Sequence, residues 1–371
     1  MGADRSGRPP ILGNPDHPPE GGSLIERLQA GHPFPLIARF AITDRCNLSC
    51  GHCYARRARP RDEMSAGEIL GALEELARLG SIRLALTGGE PAMRDDLVEI
   101  VEGARGMRYA VTLGSNATLL GDEGVDALAR AGLGELHVGL QSHDAAAHDR
   151  FVGMAGAWER ATRAMDRFLA AGGPVRASMI AMAWNADHVG SFLDLCSERG
   201  WIPGVDVRLG RRVEDGAEPE APAASEEALL RALADPRLAS ELASDESFRW
   251  GPDEPLCSMG SASAYVMPDG EVWPCLTMPI PLGNLRETSF EEIWTGSRIR
   301  EDLLAVRWGQ SEACMSCDLR WACQRCPAQA YLEHGDVSAP ASQDCFIARV
   351  RAAAARSWAA RGDGGERRGR G

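Results

Sequence analysis

The stretch Thr43-Asp44-Arg45-Cys46-Asn47-Leu48-Ser49-Cys50-Gly51-His52-Cys53-Tyr54 decides how the rest of the chain reads. It sets Cys46, Cys50 and Cys53 in a C-x3-C-x2-C run. Three thiolates this close can grip one metal centre, yet iron–sulfur clusters normally take four protein sulfurs. A cubane held by three leaves one iron open to another ligand, and a function can be built on that open iron. A structural zinc site stands beside this reading. Such sites are closed and four-coordinate, and His52 is a residue type able to supply the fourth ligand.

Outward from this run, short apolar segments alternate with helical ones. Strands are expected at Arg39–Thr43, Ile82–Thr87, Tyr109–Leu113, Glu135–Leu140, Val175–Met182 and Val205–Leu209. Helices are expected at Ala66–Leu79, Asp95–Ala104, Asp122–Ala131, Ala157–Ala171 and Asp187–Arg199. In the first helix Ile69, Leu73, Leu76 and Leu79 share one face, and Gly80, Gly132 and Gly200 follow helix ends where a left-handed cap is wanted. Strands alternating with helices imply βαβ units and a parallel sheet, either open and doubly wound or a partial barrel. In both, ligands collect at the C-terminal ends of the strands.

The cysteine run lies directly after the first strand. The second strand is followed by Thr87-Gly88-Gly89-Glu90-Pro91, the third by Gly114-Ser115-Asn116-Ala117-Thr118 and the fourth by Gln141-Ser142-His143-Asp144. Two adjacent glycines let backbone approach a ligand closely. Each loop also has a plainer explanation: a turn at Gly88-Gly89, a helix cap at Ser115 and Asn116, a satisfied polar group at Gln141. Their joint placement on one rim with three cysteines favours a binding site.

With 371 residues the chain is long enough for two domains, and it buries about three quarters of its unfolded surface without disulfides. A net charge of −13 without a sustained basic stripe argues against nucleic acid as a partner. Eleven cysteines, an odd count at metal-like spacings and without a secretory signal, argue for thiols kept reduced, hence a cytoplasmic setting. No run of about 18 apolar residues is present, so no membrane span is expected. The M-G-x-x-x-S start formed by Gly2 and Ser6 matches a loose myristoylation pattern and is discounted as chance.

Between Gly210 and Asp253 the chain turns acidic and Ala/Pro-rich, as in a linker or surface excursion holding one helix near Glu226–Ala234. Cysteines then return as Cys257, Cys275, Cys314, Cys317, Cys323, Cys326 and Cys345. Ala264–Trp273 reads as a hairpin with a Pro-Asp-Gly turn, and a helix is expected around Ser289–Thr295. Seven thiols with little other core call for inorganic staples. Cys196, on a helix outside these sets, reads as a buried apolar filler.

The C-x3-C-x2-C loop after strand one, with Thr87–Pro91 after strand two, resembles the radical S-adenosylmethionine enzymes. The C-terminal block resembles the SPASM extension carried by some of them: Cys257, Gly270 and Cys275 fit its first part, and Cys314, Cys317 and Cys323 its second. Cys326 departs from the pattern, because the interval from Cys323 is C-x2-C rather than C-x3-C. The resemblance spans residues 38 to 346 and implies an α/β fold, a partial (β/α)6 TIM-like barrel followed by a small, irregular Cys-rich domain. The expected boundaries are 1–35 for a flexible arm, 36–212 for the barrel, 213–253 for the acidic linker, 254–350 for the SPASM domain and 351–371 for a helix end and disordered basic tail.

The resemblance also implies chemistry. The [4Fe–4S] cluster on Cys46, Cys50 and Cys53 would bind S-adenosylmethionine at its open iron and cleave it to a 5′-deoxyadenosyl radical that takes hydrogen from the substrate. Gly88, Gly89 and Glu90 would hold the methionine amino group, backbone around His52 would meet adenine, and Ser115, Asn116, Gln141 and Arg208 would reach ribose or carboxylate. One auxiliary cluster would use Cys314, Cys317, Cys323 and Cys345. The other would use Cys257, Cys275 and Cys326, with no obvious fourth ligand. Ser258–Ser261 lacks the extra thiol of the sulfatase-maturing branch, and Leu276 stands where that branch has an acidic base. No catalytic acid or base is identified. The implied partners are a peptide substrate, a separate leader-binding protein, since about 35 N-terminal residues cannot fold one, and an electron donor such as flavodoxin or ferredoxin. Modification of a ribosomally made peptide is the leading expectation. Oxidation of a small molecule (an aminocyclitol, sugar or tetrapyrrole-like precursor) and a non-enzymatic iron–sulfur or zinc scaffold are the others.

Overall fold

The computed structural model describes residues 34–55, 62–238 and 251–361. The arm expected at 1–35 and the basic run beyond Arg361 lie almost wholly outside them. Six strands, β1 (Ile37–Ala41), β2 (Arg83–Thr87), β3 (Ala110–Ser115), β4 (Glu135–Gly139), β5 (Val175–Ile180) and β6 (Ile202–Asp206), pair in parallel and in sequential order. Between them run α1 (Ala66–Arg78), α2 (Leu97–Gly106), α3 (Gly121–Arg130), α4 (Ala145–Val152), α5 (Ala157–Ala170) and α6 (Val189–Arg199). This is the expected partial barrel.

Alternation within the strands decides which face is core. Leu84 and Leu86, Val111 and Leu113, Leu136 and Val138, and Val175, Ala177 and Met179 are buried, and they pack with the apolar stripes of the helices. Helix α1 shows why such a segment becomes a helix. Ser65 and Glu68 form a reciprocal capping box, while Ile69, Leu73 and Leu76 bury on one side.

Most boundaries differ from expectation by one or two residues, and two differ by more. The sixth strand runs Ile202–Asp206 rather than Val205–Leu209, because its register with β5, from Arg176↔Ile202 to Ile180↔Asp206, recruits the residues before the apolar run. It is an edge strand and contains Pro203, which costs nothing where no further strand needs its N–H. The final helix, expected only through a helix end within 351–371, is α12 (Ser342–Arg361). Val350, Ala354 and Trp358, four residues apart, pack it into the barrel's core cluster, and the Trp358 indole donates to Leu233 O.

The hairpin expected at Ala264–Trp273 is present as β7 (Ser263–Val266) and β8 (Glu271–Trp273), joined by β9 (Gly283–Asn284). It is not a separate sheet. Strand β7 pairs in parallel with β1, Ile37↔Ser263 through Phe40↔Val266, so the Cys-rich region extends the barrel sheet to nine strands. An open barrel leaves its first strand as an edge, and β7 covers it. Helix α7 (Glu226–Leu233) of the acidic stretch joins the main core through Ala228, Leu229, Ala232 and Leu233. The remaining helices are α8 (Phe290–Gly296), α9 (Arg298–Ala305), α10 (Glu312–Met315) and α11 (Pro327–His334). Among the described residues, no helix is long and apolar enough to cross a membrane.

Candidate functional site

The cysteine loop leaves β1 through Ile42 and Thr43 and is held from beneath. Arg94, buried, donates through Nη1 to Ile42 O and Met64 O, both at 2.9 Å, and pairs through Nη2 with Asp96 at 2.6 Å. Thr43 Oγ1 donates to Glu63 and accepts from Arg45 N at 3.0 Å, and Glu63 also pairs with Arg45 at 3.2 Å. These contacts set the direction in which Cys46 to Cys53 run.

The loop after β2 packs directly on this one. Gly89 N donates to Thr43 O and Glu90 N to Arg45 O, each at 2.7 Å. A Cβ at Gly88 would stand 2.2 Å from Thr43 O, and one at Gly89 2.2 Å from Arg45 O. The two glycines therefore admit the backbone of the cysteine loop itself. Glu90 has no exposed surface and accepts from Ser115 Oγ at 2.6 Å, Ala92 N at 2.9 Å and Asn116 N at 2.6 Å. Burial raises its pKa, and the three donors oppose that. Its carboxylate ties the β2 and β3 loops together. Asn116 Nδ2 in turn donates to Asn47 Oδ1 at 2.9 Å, and Asn47 Nδ2 to Thr118 Oγ1 at 2.9 Å. Glu90, Ser115 and Asn116 thus meet the cysteine loop as one network.

Gln141 serves the next seam. Its N–H donates to His148 Nδ1 at 3.1 Å, its Oε1 accepts from Ile180 N at 3.0 Å and its carbonyl accepts from Asn185 Nδ2 at 2.8 Å. His52 stacks on Phe151, with ring centroids 5.2 Å apart, and Phe151 stacks on Trp184 at 4.7 Å. Burial, then the neighbouring His148, lowers the pKa of His52 to about 4, so the ring is neutral. His52 Nδ1 and Trp184 Nε1 are buried without a hydrogen-bond partner among the described residues. Arg208 points elsewhere: it pairs with the buried Asp344 and donates to Gln324 O at 2.5 Å, beside Cys326 rather than Cys46. The acidic stretch also reaches the site, since Val213 N donates to Tyr54 O at 3.0 Å and Ala221 N to Gly51 O at 2.9 Å. It covers the cysteine loop as well as connecting domains.

All eleven cysteines are free. The thiols influence one another in three groups. Cys50 is pushed up to about 12 by burial and then by Cys53 and Cys46. Cys323 is pushed up to about 12 by burial, then by Asp344 and by Cys314, Cys345 and Cys317. Cys257 and Cys326 are raised by burial first, and each also feels Cys275. Of the ten thiols in these groups, Cys46, Cys257, Cys317 and Cys345 are exposed and the other six half-buried. Crowded, partly desolvated thiols that resist ionisation are what a cationic centre relieves, because metal binding expels the protons. Among the described residues no three His, Cys, Asp or Glu side chains converge on a single ion. Cubane ligands bind different irons, so their sulfurs surround a cluster rather than a point. The donor set fits such clusters.

Spacing alone left several participants out: Thr43, Glu63 and Arg94 under the loop, Asn47 inside it, and Phe151, Trp184 and Asn185 on the rim. Thr43 and Asn47 belong to the cysteine run itself, but the others lie at sequence distances that no local pattern connects.

Residues 40–196 match the family model of the Radical SAM superfamily, and residues 257–327 match the SPASM model, an iron–sulfur cluster-binding domain. AdoMet-dependent heme synthase of Methanosarcina barkeri (strain Fusaro / DSM 804) is 29% identical over 330 residues, covering 81% of this chain and 94% of that protein. PqqA peptide cyclase of Xanthomonas euvesicatoria pv. vesicatoria (strain 85-10) is 28% identical over 320 residues, covering 80% and 85%. In fold, Streptococcus suis SuiB bound to its precursor peptide SuiA superposes with a TM-score of 0.70 at 17% identity, covering 86% of this chain and 78% of that one. With both domains matched in order on a parallel partial barrel, the chain belongs to the radical SAM proteins that carry a SPASM domain.

Proposed function

We propose that this protein uses a cluster on Cys46, Cys50 and Cys53, with S-adenosylmethionine, to modify a peptide oxidatively or by cross-linking, assisted by two auxiliary clusters. The observation that carries the reading is the Cys46–Cys53 loop at the C-terminal end of β1 in a parallel partial barrel, packed against Gly88, Gly89 and Glu90, in a chain that also matches the iron–sulfur cluster-binding SPASM model. The bound cluster would supply the electron that cleaves the sulfonium and so the radical that takes the substrate hydrogen. The chain's own residues do the rest. Gly88 and Gly89 bring the β2 loop against the cysteine loop, and Glu90 acts as a positioning residue holding Ser115 and Asn116 toward it. Neutral His52, stacked on Phe151, offers an uncharged ring edge and an unpartnered Nδ1 to a nucleoside. Gln141 fixes the rim, while Arg208 positions the Cys326 segment through Asp344. Cys257, Cys275 and Cys326 would hold one auxiliary cluster, and Cys314, Cys317, Cys323 and Cys345 the other. A leader-binding partner, a flavodoxin- or ferredoxin-type electron donor and a reducing cytoplasmic setting complete the proposal.

Peptide modification is supported by likeness to PqqA peptide cyclase and to the sporulation killing factor maturation protein SkfB of Bacillus subtilis (strain 168), 26% identical over 274 residues. A specific observation favours a second reading: the Methanosarcina barkeri heme synthase aligns over 94% of its own length, against 85% for the Xanthomonas euvesicatoria cyclase, so a tetrapyrrole is the alternative substrate. One experiment separates the two. Anaerobically reconstituted enzyme, reductant and S-adenosylmethionine are incubated with the product of a short open reading frame beside the gene, or with an iron tetrapyrrole. A mass change in the peptide supports the first reading and turnover of the tetrapyrrole alone overturns it. No reductive cleavage of S-adenosylmethionine overturns both.

A further inference from the structure

The interval Cys323-Gln324-Arg325-Cys326, one residue shorter than the SPASM pattern, carries an arginine between two of the domain's cysteines. Arg325 is 8% exposed. Its Nη2 donates to Val337 O at 3.0 Å and Ala339 O at 2.8 Å, and its Nη1 donates to Cys314 Sγ at 3.0 Å. Its Nε has no partner among the described residues, and the guanidinium lies 5.7 Å from the centroid of the Trp308 ring. Among the described residues it forms no ion pair with a carboxylate. Asp336 and Asp344 feel its field without pairing with it.

A guanidinium cannot shed its proton in a protein, and a buried charge is retained only where something of opposite sign answers it. Carbonyl dipoles answer in part. The remaining partner is a sulfur, which as a neutral thiol is a weak acceptor and as an iron-bound thiolate a strong one. Cys314 belongs with Cys317, Cys323 and Cys345. The arrangement at the other auxiliary group differs: Arg208 lies beside Cys326, but Asp344 neutralises it.

We propose that Arg325 is a positioning and redox-tuning residue for the auxiliary cluster on Cys314, Cys317, Cys323 and Cys345, donating an N–H···S bond to Cys314 and holding that cluster's midpoint potential up. Net charge and hydrogen bonds to the sulfurs are two of the levers that set such potentials. The couple is a one-electron one, oxidised cluster plus one electron giving reduced cluster. A fixed positive charge favours the more negative, reduced form, and no bond or proton changes at Arg325. Because the guanidinium does not titrate, its contribution is constant with pH. The proposal rests on the reading that these four thiols hold a cluster.

The test is a dithionite potentiometric titration of the full-length, anaerobically reconstituted protein followed by electron paramagnetic resonance, with iron counted for each variant. Wild type must first show the auxiliary signals. Their absence would sink the cluster reading itself, before any variant is made. At the potential where the wild-type cluster is half reduced, the reduced-to-oxidised ratio of Arg325→Met is expected to be about tenfold lower, a fall of about 59 mV for one electron. Arg325→Lys, which keeps the charge, should stay near wild type, and the other clusters should not move. Loss of iron from this one cluster in Arg325→Met with retention in Arg325→Lys also supports the proposal. An unshifted midpoint in iron-replete Arg325→Met overturns it, as does equal iron loss in both variants.

Discussion

A Cβ added at Gly89 would stand 2.2 Å from Arg45 O and 2.7 Å from Asp44 O, and neither is the end of a side chain that could swing away. Gly89→Ala should therefore displace the cysteine loop rather than strain locally. The expected outcome is loss of iron from the Cys46 cluster with the auxiliary iron retained, read by iron content and reductive cleavage of S-adenosylmethionine. The histidines of the rim carry a pH signature. His52 and His148 are both lowered from 6.5 to about 4, in each case by burial first. As pH falls through that window the unfolded chain takes up protons that the folded chain refuses, so stability present above about 6.5 is lost toward about 4. Each histidine carries up to about 3 kcal/mol of this loss. His148→Asn keeps an acceptor for Gln141 N and removes the titration. Its urea midpoint should fall less steeply between pH 6.5 and 4 than that of wild type, and parallel acid limbs would refute the assignment.

Among elements, the junction of α1 with α8 shows how the two domains share caps. Glu75 of α1 accepts from Phe290 N and Glu291 N, both at 3.0 Å, in the first turn of α8. A carboxylate there satisfies two N–H groups that the helix cannot satisfy itself and complements its dipole. Glu75→Ala should cost about 1 kcal/mol, read as a lower thermal midpoint, with Glu75→Gln losing less. The neighbouring Arg286 contacts to Glu68 and Asp62 are largely exposed and should matter less. Strand β7 acts at the same scale. By pairing with β1 it fixes Cys275, two residues past β8, relative to Cys53, twelve past β1.

At the scale of the molecule, the apolar core is unevenly distributed. One large cluster runs through the barrel and takes in α7, part of α12 and, through Val266, Val272, Phe290 and Trp294, β7, β8 and α8, whereas the segments bearing Cys314 to Cys345 have small cores, such as Met259, Met278 and Ala328, or Trp321, Ala322 and Ala352. Where apolar burial is thin, cluster binding becomes folding free energy. Removing iron with a chelator should lower amide exchange protection across residues 312–345 far more than across α1, α5 and α8. Uniform loss, or none, would show that the region needs no inorganic support.

The sequence by itself determined the alternation of strands and helices and the rim on which Cys46, Gly88, Ser115 and Gln141 lie, because period and spacing are local quantities. The chain's order also placed the hairpin at Ala264–Trp273. Only the tertiary structure decided that this hairpin completes the barrel sheet, that the two glycines make room for the cysteine loop's own backbone, that Arg208 turns to Asp344, and that Arg325 faces Cys314. Those outcomes depend on which distant segments approach each other and how much water they exclude, and no pattern along the chain encodes either.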